Sequence, residues 1–152
     1  MNKEEMKRHY IEFIFWAEQM GSVQEEEWRS PIEEGKWSVA AVVTHLLFWD
    51  KFSLKERLPY FKEGASLPAY PDFQEVNDAA RAHAVKHEKN DMIEELIRVR
   101  RQYLDMLDSL TQADLDIRFA IGNNSMTVRD YFMDFIKHDR HHQTQIDKIL
   151  RR

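Results

Sequence analysis

The sequence contains no cysteine, only four glycines and four prolines, and no long apolar run. The missing cysteine excludes disulfides, cysteine-based zinc sites and a protein thiol nucleophile. The scarcity of glycine and proline permits long uninterrupted helices. A membrane-spanning helix needs about 20 apolar residues, and the N-terminus shows no apolar signal-peptide core. We therefore expect a cytoplasmic protein that makes no contact with a membrane.

The charge distribution argues against a nucleic-acid partner. The chain has 22 Lys and Arg residues and 27 Asp and Glu residues, which are interspersed and give a net charge of −5. Nucleic-acid binding requires a concentrated basic face that contacts phosphates. The basic C-terminal group of Lys148, Arg151 and Arg152 is more simply interpreted as cations that favour a helix C-terminus.

Length and periodicity predict one helical domain. The 152 residues, 43% of them hydrophobic, suit a single domain over residues 1–152 with a sizeable core. Apolar residues recur at spacings of three and four in four segments, which predicts helices that begin near residues 3–5, 38, 91 and 127. No segment shows the sustained alternation of a strand. We predict an all-α four-helix bundle.

The helix ends and connections refine this prediction. Ser38 and Thr127 are suitable N-caps, and Asp91 resembles the start of a capping box. The connection over 59–90 is long, with some helix expected after Asp72. That crossover would let the second and third helices run parallel.

Three histidines occupy inward positions of two predicted helices. His138 and His142 are four residues apart, so they share one face of the last helix. This is the spacing by which one helix offers two imidazoles to a metal ion. Both lie within the apolar stripe of their helix, and His45 lies within the stripe of the second helix.

An alternative interpretation of these histidines is simpler. A lone inward histidine is more often a hydrogen-bonded core residue than a ligand, and two histidines four residues apart often occur by chance. However, three buried imidazoles without partners would each cost about 1–3 kcal/mol. A shared cation removes that cost, so the pattern favours a metal site formed by His45, His138 and His142.

The other histidines are predicted to lie outside this site. His83 and His87 have the same spacing, but their neighbours are mostly charged, which is typical of a solvated face. His9 is predicted to be exposed. His141 is rotated by about 100° from the following residue on a helix, so it is assigned to the surface.

Several neighbours are candidates for supporting roles. Asp50 and Asp134 could orient a ligand imidazole, although each is more simply a surface or rim carboxylate. Gln145 lies near the face of the paired histidines and could bond a metal-bound water. Aromatic residues such as Trp49 and Phe135 are expected to line a pocket beside the metal.

Two segments resemble the DinB/YfiT-like superfamily of small bacterial four-helix bundles. They are GKWSVAAVVTHLLFWD and, near the C-terminus, HDRHHQTQI. The shared features are the Trp-Ser start of a helix, a histidine seven residues after that serine, and the ending His-x-x-x-His-x-x-Gln-Ile. Thr144 stands where the family often has glycine, a departure that leaves the histidines intact.

The resemblance implies both a fold and a metal. It implies an up-down-down-up bundle, often dimeric, with nickel or zinc held by three histidines, here His45, His138 and His142. Characterised relatives include metal-dependent transferases and isomerases that use low-molecular-weight thiols such as bacillithiol or mycothiol. Other relatives are called hydrolases.

Three protein ligands leave coordination positions open, which is typical of a catalytic metal. These positions could bind water or an external thiol. Because the chain has no cysteine, a thiol nucleophile would arrive with the small-molecule substrate. We predict a bacillithiol-type S-transferase, with a metal-dependent hydrolase or a non-catalytic, dimeric metal-binding bundle as alternatives. The sequence does not identify the substrate or a catalytic side chain.

Overall fold

Helices account for most of the chain in the computed structural model, which describes residues 1–150. The helices are α1 (Lys3–Gln19), α2 (Glu25–Trp28), α3 (Val39–Glu56), α4 (Phe73–Lys86), α5 (Lys89–Ser109) and α6 (Val128–Leu150). Short 3₁₀ turns cover Met20–Ser22, Leu58–Tyr60 and Asp114–Asp116. Arg151 and Arg152, which were expected to favour the C-terminus of the last helix, lie outside the described residues. Within residues 1–150, no helix combines the length and the apolar character needed to cross a membrane.

Side-chain caps fix the start of both histidine-bearing helices. The Ser38 hydroxyl accepts a hydrogen bond from the Ala41 N–H at 3.0 Å, so α3 begins as predicted. Thr127 accepts from the Asp130 N–H at 3.0 Å, while the Asp130 carboxylate accepts from the Thr127 N–H at 3.1 Å. This reciprocal pair starts α6. The cap predicted at Asp91 is wrong, because α5 begins two residues earlier, at Lys89, without a side-chain cap.

The four long helices form an up-down-down-up bundle. Residues late in α5 contact residues early in α1, so these two helices are antiparallel, whereas α3 runs parallel to α5 and α1 runs parallel to α6. The side-chain contacts that set these directions are Lys7–Asp108, Arg101–Glu18, Lys51–Glu95, Ser53–Tyr103, His9–Asp139 and Trp16–Asp147. The predicted parallel arrangement of the second and third long helices is therefore confirmed.

A small three-stranded sheet closes one end of the bundle. Its strands are β1 (Ser66–Leu67), β2 (Arg118–Ile121) and β3 (Asn124–Thr127), in the order β1-β2-β3. The first pair is parallel and the second is antiparallel. Gly122 has a φ of 56°, which permits the tight turn between β2 and β3. The expectation that no strand would occur is wrong, although the helical bundle itself is as predicted.

The apolar core is divided along the bundle axis. One cluster surrounds the first half of α3 and includes Trp28, Leu46 and Leu47. The other lies against the sheet and includes Tyr10 and Phe132. Between these clusters lies a buried group of charged side chains, and the predicted histidines lie beside the first cluster.

Candidate metal centre

The side chains of His45, His138 and His142 meet between α3 and α6. His45 Nε2 lies 3.3 Å from His138 Nε2, and His142 Nε2 lies 3.1 Å from the same His138 atom. One ring nitrogen from each histidine lies within 4.8 Å of the other two. The structure thus brings together the three residues that the sequence pattern selected.

The separations of these nitrogen atoms fit a single bound ion. Four tetrahedral ligands at about 2.0–2.1 Å from zinc have neighbouring ligand atoms about 3.3 Å apart. The two His138 distances, 3.3 and 3.1 Å, are close to this value. The donor set, three imidazole nitrogens, suits divalent transition metals such as zinc, nickel, copper and iron.

The tautomer of His45 follows from its contact with Asn77 on α4. The Asn77 Oδ1 atom lies 3.2 Å from Trp49 Nε1. Because an indole nitrogen can only donate, this Asn77 atom must be the amide oxygen. The same oxygen lies 2.9 Å from His45 Nδ1, which must therefore carry the proton. The lone pair of His45 is left on Nε2, which faces the other two histidines.

His142 is oriented in a similar way by a residue of its own helix. Its Nδ1 atom donates to the Gln145 side-chain oxygen at 2.8 Å. Its Nε2 atom then presents a lone pair to His138. Gln145 thus supports a histidine directly, whereas the sequence suggested a contact with a metal-bound water.

Local electrostatics keep these imidazoles neutral. Burial lowers the pKa of His45 to about 4, against the opposing effect of the Asn77 hydrogen bond. Burial and the two neighbouring imidazoles lower the pKa of His138 to about 4. Burial also lowers the pKa of His142. Neutral imidazoles are the form that binds metal ions, so at neutral pH protons compete little for these nitrogens.

A cavity of about 740 Å³ opens beside His45 and His138. Five aromatic side chains contribute to its wall: Trp49, Tyr70, Phe73, Tyr131 and Phe135. The predicted aromatic lining is therefore confirmed. Asp130 and Asp134 add carboxylates to the same wall. Asp134 thus lies in the cavity wall, where it could contact a ligand.

The other histidines of the sequence lie apart from this centre. His83 and His87 stack on each other at 3.6 Å between ring centroids. Among the described residues, they belong to no group of three or more potential metal ligands. His141 is exposed, and its ring lies 5.2 Å from that of His142.

A buried charge cluster lies next to the histidines, and it corrects two predictions. Asp50 is 1% exposed and bonds Arg100 through both carboxylate oxygens, at 2.6 and 3.1 Å. Arg100 also donates to both oxygens of Asp139, at 2.6 and 2.7 Å. His9 is 5% exposed and donates to Asp139 at 2.9 Å. The predictions that Asp50 is a surface or rim carboxylate and that His9 is exposed are therefore wrong. Inside the bundle, Asp50 pairs with the guanidinium of Arg100, and His9 bonds the carboxylate of Asp139.

The carboxylates of Asp50 and Asp139 share the guanidinium of Arg100, but their pKa values shift in opposite directions. Burial raises the pKa of Asp50 to about 7, despite the attraction of Arg100. Burial also disfavours the Asp139 carboxylate, but the charge and hydrogen bonds of Arg100 and the His9 hydrogen bond lower its pKa overall. Asp139 is therefore the carboxylate that holds its charge most firmly.

The sequence analysis did not identify three polar residues at or beside the centre, which are Asn77, Arg100 and Asp139. Asn77 shares a face of α4 with Ala80 and Ala84, and Arg100 lies on the apolar stripe of α5. A polar residue within an apolar stripe was the available signal in both cases. Asp139 gave the same signal, because it shares a face of α6 with Phe132, Ile136 and Ile146.

Comparison with known proteins places this arrangement in a family. The model of the DinB superfamily matches residues 16–146. The structure of YfiT from Bacillus subtilis, described as a probable metal-dependent hydrolase with an unusual four-helix bundle topology, superposes with a TM-score of 0.81. The two sequences are 18% identical, and the match covers 98% of this chain and 86% of YfiT. No curated protein matches the chain.

Proposed function

The chain belongs to the DinB superfamily, and from this membership and the converging histidines we propose that it is a metal-dependent enzyme. His45, His138 and His142 would hold one divalent ion, either nickel or zinc. The observation that carries the proposal is the meeting of three imidazole nitrogens at the edge of a cavity of about 740 Å³. A purely structural metal site is normally closed by a fourth protein ligand.

The neutral donor set indicates which chemistry the ion would supply. Three imidazoles leave a divalent ion its full charge, so it would act as a Lewis acid that stabilises an anionic nucleophile, either a thiolate or hydroxide. We propose a thiolate from a low-molecular-weight thiol of the bacillithiol type, which makes the protein an S-transferase. The absence of cysteine supports an external thiol, and the size of the cavity supports a co-substrate bound beside an electrophile.

The side chains around the centre have separate tasks in this proposal. Asn77 and Gln145 hold the Nδ1–H groups of His45 and His142, so the lone pairs of those rings stay directed at the centre. The aromatic wall, which includes Trp49 and Phe135, would bind the apolar part of the substrate and exclude water.

A hydrolase is the second candidate, and a specific observation favours it. Asp134 lies in the cavity wall one helical turn before His138, where a carboxylate could accept a proton from an attacking water. The likeness to YfiT, described as a probable metal-dependent hydrolase, points in the same direction. The third candidate, a metal-binding dimer without catalysis, gives no role to the aromatic cavity.

The test combines metal analysis with two activity screens. Purified protein should contain about one nickel or zinc ion per chain by plasma mass spectrometry. Loss of bacillithiol should then be followed across a panel of alkyl and aryl electrophiles, and ester and amide hydrolysis should be followed without thiol. Thiol loss that stops after chelation and returns with nickel or zinc supports the transferase. Metal-dependent hydrolysis without thiol supports the hydrolase, and bound metal without either activity favours the non-catalytic alternative. Sedimentation analysis of the same samples tests the homodimer that the family resemblance implies.

A further inference from the structure

Arg57, directly after α3, is a buried cation, and two of its three guanidinium nitrogens lack hydrogen-bond partners. Its side chain is 1% exposed, yet Nε and Nη2 form no hydrogen bond with any described residue. No carboxylate of the described residues forms a salt bridge with it, whereas the other fully buried arginine, Arg100, contacts two. Burying an unpaired guanidinium costs several kcal/mol, so this position is unfavourable unless something else binds the group.

In another arginine of this protein, the same two atoms, Nε and Nη2, bind a carboxylate. Arg100 holds Asp50 through its own Nε and Nη2, at 2.6 and 3.1 Å. These two N–H groups lie along one edge of the planar guanidinium and match the two oxygens of a carboxylate. Arg57 therefore offers the same two-pronged edge without an internal acid to occupy it.

The guanidinium of Arg57 lies behind the wall of the cavity. Its central carbon is 5.0 Å from the ring centroid of Tyr70 and 4.9 Å from that of Phe52. Tyr70 also lines the cavity and is 36% exposed, within an irregular segment that precedes α4. Tyr70 therefore separates the guanidinium from the cavity, and a ligand in the cavity would reach Arg57 when this ring turns aside. The irregular backbone around Tyr70 has no helix or strand hydrogen bonds that oppose such a movement.

The cavity extends along α3 from the histidines towards Arg57. His45 precedes Arg57 by three turns, which corresponds to about 18 Å between their Cα atoms. Trp49 lies between these positions and contributes to the cavity wall. On the opposite wall, α6 runs antiparallel, from Tyr131 near Ser53 to His138 near His45. The imidazoles of His45 and His138 therefore lie at one end of the cavity, and the guanidinium of Arg57 lies behind Tyr70, towards the other end.

We propose that Arg57 binds the carboxylate of a small-molecule acid whose apolar body lies along the aromatic wall, with its reactive end towards the histidines. The carboxylate would accept two hydrogen bonds from the Nε and Nη2 edge. This inference deepens the proposed function, because it names the substrate class of the same cavity. The binding step itself needs no metal ion, and this allows an independent test.

The experiment measures binding of hydrocinnamate and of its neutral amide by isothermal titration calorimetry. The full-length protein is used in two forms, treated with EDTA and loaded with zinc. In the EDTA-treated form, the acid should bind at least about tenfold more tightly than the amide. Arg57→Met should remove this preference, and Arg57→Lys should retain only part of it, because an ammonium cannot form the two-pronged contact. Arg118→Met changes an exposed arginine of β2 and should leave the preference unchanged.

Stability separates a ligand-binding role from a structural one. No carboxylate pairs with the guanidinium, so Arg57→Met would lose only its contacts with the Phe52 and Tyr70 rings while removing a buried charge. The variant should therefore melt at or above the temperature of the unmodified protein. A clear loss of stability in Arg57→Met would assign the group a structural role and overturn the proposal. Equal binding of acid and amide, an acid preference that survives in Arg57→Met, or a preference seen only with zinc would each overturn it as well. If the preference depends on Arg57 but no metal binds, this inference stands and the proposed metal-dependent function fails.

Discussion

A single neighbouring side chain orients the imidazole ring of His45, and another orients that of His142. Asn77 holds His45 and is itself identified as an acceptor by the indole of Trp49. Gln145 holds His142. These contacts leave the lone pairs of the ε nitrogens directed at the candidate centre, so the orientation of both rings is set by the protein itself.

The first prediction concerns the three ligands. Replacing His45, His138 or His142 with alanine should reduce the bound metal to a small fraction of the unmodified level, because two imidazoles retain an ion far less well than three. Plasma mass spectrometry after gel filtration measures the metal content. His83→Ala and His87→Ala form the control pair, because His83 on α4 and His87 directly after that helix have the same spacing in the sequence, and both variants should keep full occupancy. Full occupancy in any of the three site variants would remove that residue from the ligand set.

The second prediction concerns Asn77. Asn77→Ala should weaken metal affinity by about 10- to 100-fold, because the His45 ring loses the acceptor that fixes its tautomer. Competition with a chromogenic chelator gives the dissociation constant. Asn90→Ala, an exposed asparagine in the first turn of α5, is the control and should leave the affinity unchanged. An unaltered affinity in Asn77→Ala would show that packing alone holds His45.

Residue spacing predicted the three histidines but not the side chains that support them. His138 and His142 lie one turn apart on α6, and His45 lies among the buried residues of α3, so the periodicity of each helix was sufficient to select them. Asn77 reaches His45 from α4, across a distance of 32 residues in the sequence. A contact between distant segments depends on how the helices pack, which spacing along one helix does not determine.

At the scale of the elements, hydroxyl caps determine where the histidine-bearing helices begin. Ser38 and Thr127 each accept a backbone N–H that the helix itself leaves unpaired. His45 lies two turns inside α3, so its rotation about the helix axis follows from that start. The cap therefore influences both stability and the position of a candidate ligand.

The third prediction tests these caps. Ser38→Ala and Thr127→Ala should each lower the free energy of unfolding by about 1 kcal/mol, because a helix N–H loses its acceptor. Urea denaturation followed by circular dichroism measures the change. Ser125→Ala removes an exposed hydroxyl from β3 and should change stability by less than half as much. Equal effects at all three positions would show that the caps contribute nothing specific.

The sequence predicted the long helices well and the sheet not at all. Amphipathic stripes extend over several turns of the helices, whereas β2 and β3 have only four residues each. In β2 the alternating burial is confined to Phe119 and Ile121, too few positions to distinguish a strand from a loop. The Gly122–Asn123 turn was the stronger signal, since Gly-Asn between two short strands is typical of a hairpin.

For the molecule as a whole, one charge cluster joins all four long helices. His9 belongs to α1, Asp50 to α3, Arg100 to α5 and Asp139 to α6. The guanidinium also lies 3.8 Å from the ring centroid of Phe13 on α1. A displacement of any long helix along the bundle axis would break hydrogen bonds to a buried charge. The cluster therefore favours one alignment of the helices, the alignment that brings α3 and α6 together at the three histidines.

The fourth prediction removes the centre of this cluster. Arg100→Met should lower the free energy of unfolding by about 3–5 kcal/mol, because two buried carboxylates lose their shared cation. Urea denaturation measures the loss, and Arg98→Met, at an exposed position two residues earlier on the same helix, should have little effect. If the cluster also aligns the helices, metal affinity at pH 7 should fall in Arg100→Met under conditions where the variant remains folded. A folded variant of normal affinity would show that apolar packing alone aligns α3 with α6, and that the charges contribute stability without positioning the site.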